Sequence, residues 1–546
     1  MNYTTRFVTE QVHVALLADS FDDPQPLTNP EVDSPDSIDD MHSRITYNKG
    51  ACIIRMTDNL LTAENHKLAL RKYLKEKAYQ TASPIDLFET IQASALETGA
   101  IAQYGANFSM IDYFKTWTEQ GGHPILNVDV DRKIGTVKIR QRQFNINRGY
   151  TTPKMNWVIP ITYTTATDID FLDTKPSHII KDENTTLNVA VRNGEWIIFN
   201  KRQSGFYRVN YDDHSWDLIV KALRGPGRLV IQQLNRAMIV NDVFDFARAG
   251  IMSYNRALNI ISFLIYERAW TPWEAAIKGF GWIINRLTGS TLEKPMKALF
   301  VNWASNVMTN ITYLPQDGEP FLRSHLRVLL PRIMCRFGSE ECISTARNLF
   351  ADLFKWGTEV PADIRVWVYC EALREGNPRY FNFLYNRFLS HPVSTEREHI
   401  VNLLGCTTDE ASLVRFLDLI FKKNFTVHEQ DLTDAYSSAI EDNDANAQIV
   451  FRYIQKNLQV VADKFNGLWY PLSEIGVRLR SENEVKQFQD WVNQNKDALG
   501  DDYEYVLDSA NTSIQTMRWA ASVHDDINSY LTEGNKPIEE PSVSMA

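Results

Sequence analysis

The sequence predicts a chain of several domains, mainly α-helical, with one small β-sandwich between two helical parts. Three observations carry this. At 546 residues the chain exceeds what one hydrophobic core organises, so two to four domains are expected. Strict alternation of apolar and polar residues, the period of a half-buried strand, begins only after Trp117. From Asp213 onwards the apolar spacing is helical and helix-start signals recur. The expected division is a helical part at 1–116, a β-sandwich at 117–212, a large helical domain at 213–532 and a polar tail at 533–546.

Composition narrows the function classes. A hydrophobic share of 44% with 23% charged residues describes an ordinary globular protein, and a net charge of −11 leaves no basic stripe to neutralise phosphates, so no nucleic-acid partner is expected. No apolar run approaches the roughly 20 residues that span a bilayer. The first residues, Met1 to Arg6, lack the basic and apolar regions of a signal peptide, and Glu539 to Ala546 are too polar for an anchor, so neither is expected in this chain.

In chain order, residues 18–40 carry eight Asp or Glu, four Pro and no Lys or Arg. That composition predicts an acidic loop, either solvated or lining a cleft that attracts a cationic ligand. Ser43 to Met56 follows. Ile53, Met56 and Leu60 recur at helical spacing after Gly50, so a helix is expected whose entrance is set by Tyr47, Lys49 and Gly50. A phenol at that entrance can be held with its hydroxyl in a cleft, donating to oxygen charge that develops in acyl transfer. Two further helices are expected, one using Leu70, Tyr73 and Leu74 as its apolar face and one starting at Ser83-Pro84 with Leu87, Phe88 and Ile91. Nothing upstream supplies a partner core, so the face of Ile53, Met56 and Leu60 is expected to be poorly covered.

Leu126, Val128 and Val130 alternate, as do Val137 and Ile139 beyond Asp131 to Gly135, which predicts a hairpin. Alternation returns over Trp157 to Tyr163 and Leu187 to Val191, and Asn193-Gly194 turns the chain into Trp196 to Phe199, giving a sandwich of five or six strands. Beyond Asp212, Thr271 to Glu274, Ser290 to Glu293, Thr407 to Glu410 and Ser481 to Glu484 each read as a capping box. Many short helices without strands predict a stacked array of the HEAT or armadillo type.

The five cysteines are Cys52, Cys335, Cys342, Cys370 and Cys406. Separations of 7 and 36 residues suit the pairs Cys335–Cys342 and Cys370–Cys406, but spacing alone leaves two other pairings, and four buried thiols, open. Sequons stand at Asn2, Asn107, Asn184, Asn310, Asn424 and Asn511, the last five being glycosylation candidates. A zinc peptidase requires His-Glu-x-x-His, and among the 11 histidines no two lie four residues apart. There is also no Gly-rich phosphate loop and no nucleophile elbow.

Taken together, Ile45-Thr46-Tyr47-Asn48-Lys49-Gly50-Ala51, Trp117-Thr118-Glu119-Gln120, Trp157-Val158-Ile159-Pro160 and Gly205-Phe206-Tyr207-Arg208-Val209-Asn210-Tyr211-Asp212 resemble the aminopeptidase N family of zinc metallopeptidases. Asn235-Arg236-Ala237 with Asn241-Asp242 and Phe244 looks like the opening of that family's C-terminal helical domain. The resemblance implies that the chain starts within the helical end of a thermolysin-like catalytic domain, followed by the small β-sandwich and the large helical domain. It implies disulfides at Cys335–Cys342 and Cys370–Cys406, an extracellular or cell-surface location, and substrates that are peptide N-termini. It also implies that Tyr47 is the transition-state tyrosine. The family's amine-binding Gly-x-Met-Glu-Asn stretch and its zinc ligands have no counterpart, and Ala18-Asp19-Ser20-Phe21-Asp22-Asp23-Pro24 stands where Ser-His-Pro is usual.

The reading that results is a truncated member of the family that keeps the tyrosine, binds no zinc by itself and is inactive alone, although full-length relatives use zinc. The alternative is a non-catalytic scaffold whose helical domain binds peptides or proteins.

Overall fold

Helix Gly50–Leu61 forms where the sequence places it, because its apolar residues fall on one face and its chain is free of interior glycine and proline. That face is covered: Ile53, Met56 and Leu60 are 3%, 2% and 0% exposed, which corrects the expectation of a poorly packed segment. Its cover comes from the same chain. Helix Ala63–Glu76 packs against it, and the Thr57 hydroxyl meets the Tyr113 hydroxyl of helix Met110–Thr118 at 3.3 Å. The computed structural model describes residues 2–422, 429–441 and 445–534; the sequon at Asn424 and nearly all of the polar tail lie outside these. The chain divides into two units, one built on Met1–Gly279 and one on Phe280–Leu531.

In the first unit, helix Ala63–Glu76 buries His66 and Ala69, not the expected Leu70, Tyr73 and Leu74, and Leu74 is exposed. Helix Pro84–Glu97 starts at Ser83 with Asp86 closing the capping box, and Phe88 stacks on Phe114 with ring centroids 4.6 Å apart.

Among the described residues nine strands follow: β1 (Pro124–Asp131), β2 (Thr136–Asn145), β3 (Gly149–Thr151), β4 (Ile159–Ile161), β5 (Tyr163–Thr165), β6 (His178–Ile180), β7 (Asn184–Asn188), β8 (Ile197–Phe199) and β9 (Arg208–Tyr211). A five-stranded sheet runs β3-β2-β1-β9 with β7 also on β2, and the pairs β4–β6 and β5–β8 form separate ladders. The hairpin β1–β2 closes as expected, Gly135 taking a φ of +69° as the last residue of the turn. The other differences from the expected five or six strands have local causes. The alternating run Trp157 to Tyr163 is cut at Thr162, whose carbonyl and hydroxyl each accept a backbone N–H, from Asn200 and Lys201 at 2.8 Å, so the chain changes ladders there. The Gly205 to Asp212 segment supplies β9, which pairs parallel to β1 with Val128 opposite Tyr211. Trp117 and Trp157, each 0% exposed, have ring centroids 6.2 Å apart, and Trp117 Nε1 donates to the Val158 carbonyl.

Helices continue through Asp213–Arg224, Gln233–Arg248, Tyr254–Ile261 and Trp270–Leu287. The last begins at Trp270, ahead of the Thr271 that reads as its cap. The second unit is helical in all its described elements; Glu340–Trp356 packs on the next α-helix, Arg365–Arg374, whereas Trp469–Gly476 packs most closely on Tyr503–Ser522, further along the chain. Ser481 caps helix Glu482–Gln494 through the Glu484 N–H, as expected. At helix Glu410–Lys422 the cap is Asp409, which accepts the Ser412 N–H, and not Thr407. Leu413, Phe416, Leu417 and Ile420 are buried.

Both expected disulfides are present, Cys335–Cys342 and Cys370–Cys406, each with Cα atoms 5.2 Å apart. They close loops of 7 and 36 residues. Because a cross-link restrains the unfolded chain more when its loop is longer, changing Cys370 and Cys406 to alanine is expected to cost about 1.5 kcal/mol more than changing Cys335 and Cys342. Thermal unfolding of the two double variants measures this; equal losses would contradict the loop-length account.

Candidate functional site

Tyr47 sits in a single π turn, Ile45–Lys49, that runs directly into helix Gly50–Leu61. Such a turn shifts side chains around the helix axis and is often found where a residue must be aimed. Ile45 and Lys49 are buried while Tyr47 between them is 63% exposed. The phenol is thus presented outward from a rooted turn. Its oxygen lies 3.1 Å from Nδ1 of His42, and the two rings stack with centroids 6.1 Å apart. The flanking side chains tie the turn down, Thr46 donating to the Met41 carbonyl and Asn48 donating to Gln11 at 2.6 Å.

Lys49 is the deepest root. Its ammonium lies 2.9 Å from Oδ2 of Asp19, both side chains being 0% exposed, and donates to the carbonyls of Gly122 at 3.0 Å and Gln120 at 3.5 Å. Oδ1 of Asp19 accepts the Gly122 N–H at 2.9 Å. Burial pushes the Asp19 carboxyl up while the Lys49 charge beside it pulls it down. His123 approaches the same carboxylate at 3.9 Å, but burial holds its imidazole well below its ordinary pKa, so it is a neutral neighbour and no ion pair forms. The close approach of these segments requires glycine: a Cβ on Gly121 would stand 1.6 Å from the Pro24 carbonyl, and Gly122 has a φ of +85°.

A second polar cluster lies in the same unit. His13 Nε2 meets Gln203 Oε1 at 2.8 Å, and burial pushes its imidazole down to about 3. Arg55, one turn into the Tyr47 helix, donates to the Gln203 and Arg202 carbonyls. Arg208 of β9 is 0% exposed and holds Asp242 and Asp245 of helix Gln233–Arg248.

Tyr47 stands at the head of the helix that the sequence predicts, with His42 against its hydroxyl, Gln11 on the neighbouring Asn48, and Asp19 with His123 at the buried end of Lys49. Asp19 is a correction, since it reads as part of a solvated acidic loop and is fully buried. The signal was Lys49, a lysine flanked by residues that a buried helix start requires, which needed a carboxylate to neutralise it. Of the glycosylation candidates, Asn107, Asn184, Asn310 and Asn511 are exposed. A groove of about 470 Å³ on the sheet is lined by Asn127, Asp129, Lys138, Arg140, Asn184 and Asn210 among others, and includes none of the residues around Tyr47. Among the described residues no three His, Cys, Asp or Glu side chains converge to hold a metal ion. No described helix is long and apolar enough to cross a membrane.

The Peptidase family M1 domain matches residues 1–117, and the ERAP1-like C-terminal domain matches residues 196–515. The chain belongs to the aminopeptidase N family, whose C-terminal portion it matches. It is 46% identical to a membrane alanyl aminopeptidase of Heliothis virescens, over 100% of this chain and 54% of that protein. It is 36% identical to a membrane alanyl aminopeptidase of Manduca sexta, over 96% of this chain and 53% of that protein. Identity to the aminopeptidase N of Canis lupus familiaris is 26%, over 98% of this chain and 55% of that protein. The chain spans about half the length of the curated relatives it matches.

Proposed function

We propose that these residues serve an aminopeptidase that removes N-terminal residues from peptides, and that Tyr47 is its transition-state stabiliser. The observation that carries this reading is the presentation of the Tyr47 hydroxyl, 63% exposed, on a turn whose neighbours are buried and bonded. As a peptide carbonyl is attacked, its oxygen gains negative charge, and a positioned O–H donor stabilises that charge more than it stabilises the substrate. Zinc, on which the M1 family depends, supplies carbonyl polarisation and an activated water when bound. The chain's own contribution is the donor, in a part spanning 1–116, followed by the parts at 117–212 and 213–532. Residues 1–546 by themselves carry no zinc-binding or amine-binding motif and are proposed to be inactive alone. The two disulfides, the exposed sequons and the membrane aminopeptidases among the relatives support a cell-surface or extracellular location.

The test is hydrolysis of alanine and leucine anilides by a zinc-loaded aminopeptidase carrying these residues, natural or made by exchange with the Heliothis virescens relative, beside its Tyr47→Phe variant. Turnover that collapses in the variant supports the reading; turnover that survives it removes Tyr47 from the chemistry.

A further inference from the structure

The Tyr47 side chain is only lightly held, because the His42 ring on which it stacks is itself exposed. It is 63% exposed, and its hydroxyl meets only the exposed ring of His42 among the contacts described for it. Its direction must therefore come from the backbone of the π turn. That backbone is held at its start by the Tyr47 N–H donating to the Ser43 carbonyl at 3.2 Å. At its end stands Lys49, two residues on, whose side chain leaves the turn and enters the core.

The Lys49 ammonium donates to the carbonyls of Gly122 and Gln120 and is ion-paired with Oδ2 of Asp19 at 2.9 Å. The acceptors belong to two separate segments. Asp19 follows helix His13–Ala18, and Gln120 to Gly122 lead into β1. Asp19 also accepts the Gly122 N–H through Oδ1, so the lysine, the carboxylate and the loop before β1 are joined by one ion pair and the hydrogen bonds on either side of it. A hydrophobic residue at position 49 would bury equally well. What the charged pair adds is direction, because each bond fixes the ammonium from a different side, and an ion pair this deep cannot slide without leaving a charge unpaired in the interior.

We propose that the buried Lys49–Asp19 pair is a positioning device for Tyr47, fixing the π turn so that the phenol stands where the developing oxyanion needs a donor. This rests on the reading of Tyr47 given above and extends it to two residues that touch no substrate. A displacement of the phenol by about 1 Å is enough to lose ~10²-fold in rate.

The test is a set of variants in the zinc-loaded aminopeptidase carrying these residues, with kcat, KM and melting temperature measured for each. Lys49→Met alone leaves Asp19 buried without its cation, so both stability and kcat are expected to fall. The double variant Lys49→Met/Asp19→Asn removes both charges and is expected to recover most of the melting temperature while kcat stays ~10-fold or more below the parent and KM changes less than about threefold. In the Tyr47→Phe background the same double change is expected to cost little further kcat, since it acts through the phenol. Recovery of kcat together with stability in the double variant would overturn the proposal and leave the pair a purely structural one. Unchanged additivity in the Tyr47→Phe background would do the same. If the double variant does not fold, Asp19→Asn carries the test, because its amide oxygen still accepts the Gly122 N–H. It is expected to lower kcat ~5-fold or more at nearly unchanged KM, and parent-like kcat would overturn the proposal. Parent-like turnover in Tyr47→Phe itself would instead sink the reading of Tyr47, an outcome separate from any result at Lys49.

Discussion

Tyr47→Phe, in a zinc-loaded aminopeptidase carrying these residues, is expected to lower kcat ~10²–10³-fold with KM nearly unchanged, the loss that follows removal of one preorganised oxyanion donor. Only an oxygen is deleted. The ring remains, its neighbours Ile45 and Lys49 stay buried, and the hydroxyl makes no bond to the core, so the melting temperature is expected to stay within about 1 °C of the parent. The split is the diagnostic. A ground-state contact would raise KM, and a structural role would lower the melting temperature. Steady-state kinetics on an alanine anilide, with thermal unfolding of the same samples, measures all three quantities.

Arg208→Met is expected to destabilise the first unit by about 3–5 kcal/mol, the cost of removing one partner from a buried ion pair. The guanidinium is 0% exposed, donates to Asp242 at 2.7 Å and Asn241 at 2.9 Å, bonds Asp245 as well, and lies over the Phe144 ring at 4.9 Å. Methionine fills part of the volume and satisfies none of the oxygens. The effect should depend on pH, with a definite sign. Burial already pushes the Asp242 carboxyl up to about 7 against the pull of the guanidinium, and without that cation its folded-state pKa rises further above the unfolded value. A carboxyl raised by folding stabilises while protonated and loses that contribution as pH rises through its folded pKa. The deficit of the variant relative to the parent is therefore expected to grow as pH rises above about 7. Denaturant titrations at pH 6 and pH 9 check this; a deficit that shrinks towards pH 9 would contradict it.

The chain's organisation was legible wherever a local period carried it. The change of period at Trp117, the β1–β2 hairpin and the helix starts at Ser83 and Ser481 all depend on residues within one turn or one pair of strands. What escaped depended on residues far apart in the chain. The parallel pairing of β9 with β1 joins Arg208 to Ile125, and nothing in either strand announces the other. The break at Thr162 comes from N–H donors at Asn200 and Lys201, so it is invisible in the alternating run itself. The same holds at the site. The place of Tyr47 at the head of its helix was legible because the turn and helix that carry it are continuous in sequence. Asp19 was not, because its acidic surroundings describe solvent exposure and only Lys49, thirty positions on, shows that this one carboxylate is drawn into the core. His42 and His123 looked alike in sequence, and the fold places one in water against the phenol and the other in full burial.

The central claim is that Tyr47 binds the transition state more strongly than the substrate. Its most direct test is the affinity of a phosphinic dipeptide analogue, whose tetrahedral oxygens mimic the attacked carbonyl, for the zinc-loaded parent and its Tyr47→Phe variant. The account predicts that the analogue's Kd rises by the same ~10²–10³ factor by which kcat/KM falls, while the Kd of an uncleaved substrate-like peptide stays within about threefold. An analogue bound equally well by both proteins would contradict it, and would show that the exposed phenol of Tyr47 does not reach the oxygen on which charge develops.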